Sequence, residues 1–259
     1  MPRRAKPASA RTLLTFVTFS DYLDGVPRST PPYSVDVAVL APLRGELAVL
    51  LRKPEGGRRA RWALPWDVPG GRERLAPAAL RVTREALGAA PAWIEQVGAV
   101  EAGPHHPGGA PLSIAYVAVT TEGAALEAAN GAGEVEWVSR RKLPALPGAQ
   151  RAIVDAALDT VRARADRAPV AFRFLPEEFT LSALQEMYEL LLGRRLHKAS
   201  FRRALHAARL VEPTDEWRSE GRGRPAQLFR YAPRRRRGGQ RGIRFDLLSA
   251  GAAGSQTRR

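Results

Sequence analysis

The sequence contains no cysteine, so neither disulfides nor thiolate metal sites can exist in it. Its four histidines are scattered and offer no metal-ligand spacing. No apolar run approaches the length needed to span a membrane, which removes a membrane partner from consideration. Acids are scarce: 26 Asp and Glu stand against 41 Lys and Arg, a formal charge of +15. An excess of that size favours a polyanionic partner, usually nucleic acid. Part of it comes from a run of arginines at 234–237 in a Gly- and Arg-rich tail. The first residues, MPRRAKPASARTLLTFVTF, imitate a basic n-region and a short apolar core. They lead into Ser20, Asp21 and Tyr22 without a convincing cleavage site, so a signal peptide is rejected and a cytoplasmic location is expected.

What is present is enough for two modest domains, with 259 residues of which 44% are hydrophobic. Residues 1–33 read as a basic lead-in. Residues 34–40 alternate, with Val35, Val37 and Val39 on one side, and 46–52 form a second strand after the Arg44-Gly45 turn signal. Further strands are predicted at 97–101, 113–119 and 134–138. Between the first two of these lies a Gly/Pro/His loop in which His105 and His106 are expected to face solvent. A helix at 147–165 carries Ile153, Ala156, Ala157 and Val161 at helical spacing. The composition changes near Asp166, and Arg167-Ala168-Pro169 reads as a short linker.

The stretch from Asp67 to Ala89 organises the first domain. Its back half is an amphipathic helix with Leu80, Thr83 and Leu87 at spacings of three and four, Pro77 near its start and Gly88 at its end. Glu73, Arg81, Glu85 and Gly88 fall on four fixed positions of the Nudix box, preceded by Trp62-Ala63-Leu64-Pro65, so the chain resembles the Nudix superfamily. The departures matter as much. The first Gly of the box is Asp67, and two of its three helix acids are Val82 and Ala86. Mg²⁺ takes hard oxygen ligands, and pyrophosphate cleavage uses the ion to neutralise charge. The box therefore reads as a fold marker: no catalytic residue, no metal site and no cofactor are expected. Trp62 and Trp66 are open to two readings, stacking on an adenine or packing in the core.

Residues 170–232 read as a second unit. Thr180 caps a helix through Leu181, Leu184, Met187, Tyr188 and Leu191 that ends at Gly193. A second helix at 200–208 turns Phe201, Leu205 and Ala208 inward. Two short alternating strands at 210–212 and 228–231 flank Gly221-Arg222-Gly223-Arg224-Pro225. Helix, turn, helix and a hairpin with a basic tip is the winged helix-turn-helix order. Lys198, Ser200, Arg202 and Arg203 lie on the outer face of the second helix, and Arg222 and Arg224 at the wing tip. These six are the expected DNA contacts. The bland alternative for the helix is an ordinary solvated face. No aromatic cluster interleaves the arginines, which disfavours single-stranded RNA. Residues 233–259 form a basic tail.

A degenerate Nudix-like domain followed by a winged helix resembles the Nudix-related transcriptional regulators. Leu175-Pro176-Glu177-Glu178-Phe179-Thr180-Leu181, Phe201-Arg202-Arg203 and the Gly-Arg-Gly-Arg-Pro tip carry the likeness. The resemblance implies an α/β Nudix-like sandwich with a mixed sheet at 34–166, followed by the winged helix. It implies a homodimeric repressor that binds a double-stranded DNA operator and answers to a nucleotide-sugar effector such as ADP-ribose. Arg52, Lys53, Arg81 and Glu85 are the expected effector contacts, with a structural pair on one helix turn as the other reading of Arg81 and Glu85. Two other functions stay open. One is a nucleoside diphosphate hydrolase with an accessory nucleic-acid domain. The other is a nucleic-acid binder whose Nudix-like part only dimerises.

Overall fold

The computed structural model describes residues 33–54, 61–103, 105–131, 134–165, 169–219 and 225–232. The basic lead-in, the wing-tip arginines Arg222 and Arg224, and the C-terminal tail lie outside the described residues.

The first domain is built around β1 (Tyr33–Leu43), a strand buried on both faces. Val35, Val37 and Val39 face one layer, and Ala38 and Leu40 face the other, the period-two consequence of the pleat. Arg44 and Gly45 both have positive φ, 51° and 74°, and turn the chain in two residues into β2 (Glu46–Arg52). The sheet runs β4 (Trp93–Glu101), β5 (Leu112–Val119), β1, β2, β6 (Val135–Ser139), and β3 (Trp66–Asp67) pairs with the start of β1. Only β1 and β5 are parallel; the other pairs are antiparallel, so the sheet is mixed. β3 was not expected from the sequence.

One face of the sheet is covered by α1 (Leu75–Leu87) and by α2 (Glu122–Gly131), a helix that the sequence did not suggest. The Trp137 indole donates to the Ala125 carbonyl at 2.9 Å and ties α2 to β6. The other face is covered by α3 (Gln150–Ala165) through Ile153, Val154, Ala157, Leu158 and Val161. This is the α/β/α sandwich. Of the stripe expected on α1, Thr83 and Leu87 are buried and Leu80 is only half-buried; Ala78, Ala79, Val82 and Ala86 complete the face that presses on the sheet.

After α3, a short 3-10 turn (Pro169–Phe174) buries Phe172 and Phe174 and leads into the second domain. There β7 (Glu178–Phe179), β9 (Ala226–Tyr231) and β8 (Val211–Arg218) form a three-stranded sheet beside α4 (Leu181–Leu192) and α5 (Lys198–Ala208). The Thr180 hydroxyl accepts from the Ala183 N–H at 3.1 Å, the predicted N-cap, and Gly193 closes α4 in the left-handed region. Rings of Phe172, Phe179, Tyr188, Phe201 and Tyr231 meet edge-on or tilted. The core of this domain is continuous with that of the α3 face: Ile153, Val161, Phe172, Leu184 and Phe201 belong to one buried cluster. Arg162 on α3 donates to the Leu191 carbonyl at 3.0 Å, capping the end of α4 from the neighbouring domain. No helix among the described residues is long and apolar enough to cross a membrane.

Candidate functional site

The box helix holds a compact ion cluster. Arg81 grips Glu73 with two parallel bonds, Nε to Oε1 and Nη2 to Oε2, both 2.9 Å. Its Nη1 reaches Asp67 at 2.6 Å and Glu85 at 3.3 Å. Glu73 also accepts from the Gly70 N–H at 3.2 Å, so the loop before the helix is stitched to the helix by one guanidinium. Fork-to-carboxylate geometry is the strong form of ion pair. It holds the Glu73 carboxyl below its ordinary pKa, chiefly through the Arg81 bonds, and raises the already high pKa of Arg81.

Val82 and Ala86, which stand where the box would have acids, face the opposite way from this cluster. They are 0% and 4% exposed, packed with Val35, Val37, Val39, Leu50, Tyr116 and Ala128. A divalent cation needs several oxygen ligands. Here two candidate positions are apolar and dry, and the third, Glu85, already binds Arg81. These residues do not fit a Mg²⁺ site. Among the described residues, no group of three or more His, Asp or Glu could hold a metal ion.

The expected effector residues fall in two places. Arg81 and Glu85 belong to the ion cluster above. Arg52 and Lys53 lie at the end of β2, where the Lys53 N–H donates to the Glu134 carbonyl at 2.7 Å. No bond among the described residues joins the two pairs. A cleft of about 700 Å³ opens elsewhere, where the β1–β2 turn and α2 meet α4. Pro42, Glu122, Arg141, Phe174, Met187 and Arg195 line it, and it contains none of the four expected residues.

On the α3 side of the sheet is a buried polar knot that the sequence reading missed. Asp36 is 0% exposed. Its Oδ1 accepts from the Gln150 amide at 2.8 Å and lies 3.0 Å from His106 Nε2, while its Oδ2 accepts from the Ser34 hydroxyl at 2.7 Å. His106 Nδ1 accepts from the Gly108 N–H at 3.0 Å, so the ring proton sits on Nε2 and points at Asp36. Burial pushes the Asp36 carboxyl up, but the bonds from His106, Ser34 and Ser113 outweigh it and hold the carboxyl below its ordinary range. The expectation of an exposed His106 is therefore corrected; His105 is exposed. Trp66 packs edge-on against the His106 ring at 5.1 Å and against Gly108, which resolves its reading in favour of packing. Trp62 likewise packs against the core. The Gln150 side-chain Oε1 accepts from the Leu64 N–H at 2.8 Å, so α3, β1 and the segment entering the box are fastened at one point.

In the second domain, α5 turns Phe201 and Leu205 inward and exposes Lys198, Arg202, Arg203 and His206. Ser200 is half-buried, with its hydroxyl 3.1 Å from His197 Nδ1. Arg202 and Arg203 are adjacent, about 100° apart around the helix, so they cannot share one direction. The turn before α5 is rigid: Glu189 accepts from the Leu196 N–H and from Gln185, both at 2.9 Å, and pairs with Arg195. A basic helix face held this firmly, with a hairpin beside it, can place guanidinium groups against phosphates or base edges.

Residues 171–231 match the family model of the NrtR DNA-binding winged helix domain. The chain is 28% identical over 241 residues to the ADPR responsive transcriptional repressor NtrR of Acinetobacter baylyi, covering 90% of this chain and 92% of the relative. Among solved structures, NrtR of Shewanella oneidensis complexed with a 27mer DNA aligns with a TM-score of 0.69 at 27% identity, over 78% of this chain and 94% of that one. A MutT/nudix family protein from Enterococcus faecalis shares the fold, with a TM-score of 0.63 at 20% identity over 84% of this chain and 94% of that one.

Proposed function

We propose that this chain, a member of the Nudix-related transcriptional regulators, is a homodimeric DNA-binding repressor whose Nudix-like domain senses ADP-ribose or a related nucleotide sugar and does not hydrolyse it. The observation that carries the reading is the presence of two features in one chain. One is an exposed basic face on α5, and the other is a Nudix-like sandwich whose helix acids have become the buried Val82 and Ala86. The DNA complex of the Shewanella oneidensis protein and the ADPR response named for the Acinetobacter baylyi relative support the two halves of the reading.

Each half has its chemistry. On the DNA side, one of Arg202 and Arg203 reads a base edge and the other holds phosphate, with Lys198 and Ser200 at the helix start and Arg222 and Arg224 at the wing. On the effector side, Arg52 and Lys53 at the end of β2 supply charge-assisted contacts to a diphosphate. The engagement of Arg81 by Asp67, Glu73 and Glu85 favours bracing of the box loop over ligand binding for that residue.

Fluorescence anisotropy with duplexes selected from a random-sequence pool, in the presence and absence of ADP-ribose, tests the reading. Alanine at the base-reading arginine should cost about 1–3 kcal/mol and relax preference at one position. Alanine at a phosphate-binding residue should weaken all sequences alike and flatten the salt dependence by about one unit of slope. Duplex binding that neither substitution changes, or Mg²⁺-dependent release of AMP that Glu85→Gln abolishes, would overturn it.

A further inference from the structure

A helix that reads bases must be aimed as well as exposed. α5 opens at Lys198, and its N-cap, His197, makes no side-chain cap bond. Phe201 and Leu205 bury its inner side, which sets its depth and its roll. The direction in which the chain enters it is set just before, at Leu196, by two side chains of α4. Gln185 and Glu189 stand one turn apart there. Glu189 Oε1 accepts from the Leu196 N–H at 2.9 Å, and the Gln185 amide donates to the Leu196 carbonyl at 3.0 Å. The second Gln185 amide proton goes to Glu189 Oε1, also at 2.9 Å, so the two side chains lock each other. Arg195 occupies the other oxygen, Glu189 Oε2, at 2.9 Å.

Leu196 is thus held at its N–H, its carbonyl and its buried side chain, which leaves it no freedom to swing the helix that follows. The Glu189 side chain is only 10% exposed, so it acts through α5 and not on DNA. Burial pushes its carboxyl up, but the bonds from Gln185, the Leu196 N–H and Arg195 outweigh it and hold the carboxyl below its ordinary range. The lever is long. α5 has 11 residues and spans about 16 Å, so a tilt of about 10° carries one end about 3 Å relative to the other. Hydrogen bonds to base edges do not survive a displacement of that size. A long, flexible side chain such as Lys198 can still follow a phosphate.

We propose that Gln185 and Glu189 are positioning residues for DNA recognition, a clamp on Leu196 that aims the first turn of α5 at the base edges. This rests on the DNA-binding reading above. The clamp governs discrimination between sequences more than attachment to DNA, because base-edge contacts depend on geometry and phosphate contacts depend mainly on charge.

The test is anisotropy with full-length protein on a pool-selected duplex and on a scrambled one over a salt series, with thermal unfolding of each variant. Glu189→Ala should weaken the selected duplex by about ten- to a hundredfold, the worth of one base-edge contact, and the scrambled duplex by about threefold or less, at an unchanged salt slope. Glu189→Gln keeps an oxygen for the Leu196 N–H and should recover most of the selectivity, although the ion pair with Arg195 is gone. Gln185→Met removes both amide donors at similar size and should narrow the ratio between the duplexes as well. Wild-type selectivity in Glu189→Ala or in Gln185→Met overturns the inference. So does an equal loss on the two duplexes, which makes the clamp a support of the fold alone. A Glu189→Gln variant no better than Glu189→Ala also overturns it and makes Arg195 the residue that matters. If Glu189→Ala does not fold, Gln185→Met decides by the same ratio. Wild-type protein that binds no duplex, or binds both alike, overturns the regulatory reading and the inference with it.

Discussion

Restoring the two missing acids of the box should unfold the protein rather than activate it. Val82 is 0% exposed and Ala86 4%, and both press on valines of β1. A glutamate at position 82 has no cation within the cluster to meet, so at pH 7 it must protonate. Carrying a carboxyl from its ordinary value near 4.3 to neutrality at pH 7 costs about 1.36 kcal/mol per unit over 2.7 units, or roughly 3.7 kcal/mol. Forcing the longer side chain into a filled cluster adds about 1–3 kcal/mol. The total of roughly 5–7 kcal/mol is comparable with the whole stability of a typical domain. The sign of the pH dependence is specific. The pKa of this carboxyl is raised in the fold, so the penalty grows as pH rises above its ordinary value. It shrinks to about 1 kcal/mol for the protonation part at pH 5. Urea unfolding of Val82→Glu followed by far-UV circular dichroism at pH 5 and pH 7 should therefore show a much lower midpoint than wild type at pH 7 and a partial recovery at pH 5. The reasoning is refuted if the variant matches wild type at both pH values and the double variant with Ala86→Glu then releases AMP from ADP-ribose with Mg²⁺. Those positions would in that case be open to water and metal.

Asp36→Ala leaves His106, Gln150 and Ser34 facing an empty buried site and should cost about 3–5 kcal/mol, read as a lower urea midpoint. Because the Asp36 pKa is depressed in the fold, its contribution is present above the ordinary carboxylate value and is lost as pH falls below it. The difference between wild type and Asp36→Ala should narrow in acid. Gly148→Ala should lower the thermal midpoint by the equivalent of about 1–3 kcal/mol or more. The backbone there has φ of +55°, and a Cβ would lie 2.1 Å from the Ala102 carbonyl oxygen. Unchanged melting of that variant would mean the loop can shift away.

The sheet was legible where alternation was strong. β2 was read to the residue because it is short, apolar and preceded by a two-residue turn. The winged helix was legible through its caps, Thr180 and Gly193, and through the spacing of Leu184, Tyr188 and Leu191. What escaped the sequence had weak local signals. α2 is mostly alanine and glycine, EGAALEAANG, with little contrast between its faces, and its helicity follows from packing on β1 and α1. β3 is two residues long and exists only because β1 offers it an edge. His106 follows His105 in a Gly/Pro loop, with nothing local to mark one of the two as buried. The usable signal was on the other strand: Ser34 and Asp36 are polar residues at inward positions of a strand otherwise filled with Val and Ala, and an inward acid must find donors. In the box Glu73, Arg81 and Glu85 form one ion cluster and Gly88 ends the helix, yet sequence spacing could not show that the substituted face had been absorbed into the core.

The continuous core across α3 and the winged helix has a thermodynamic meaning. Phe172, Leu184 and Phe201 share their buried surface with Ile153 and Val161, so the two domains gain or lose solvent exclusion together. Any ligand that binds only the folded sandwich adds RT ln(1 + [L]/Kd) to the free energy holding the winged helix in shape, about 2.7 kcal/mol at a hundredfold excess over Kd. Occupancy of a site in the sandwich is thus felt by α5 as added resistance to every unfolding event that opens the shared core, even where no atom of α5 changes its mean position.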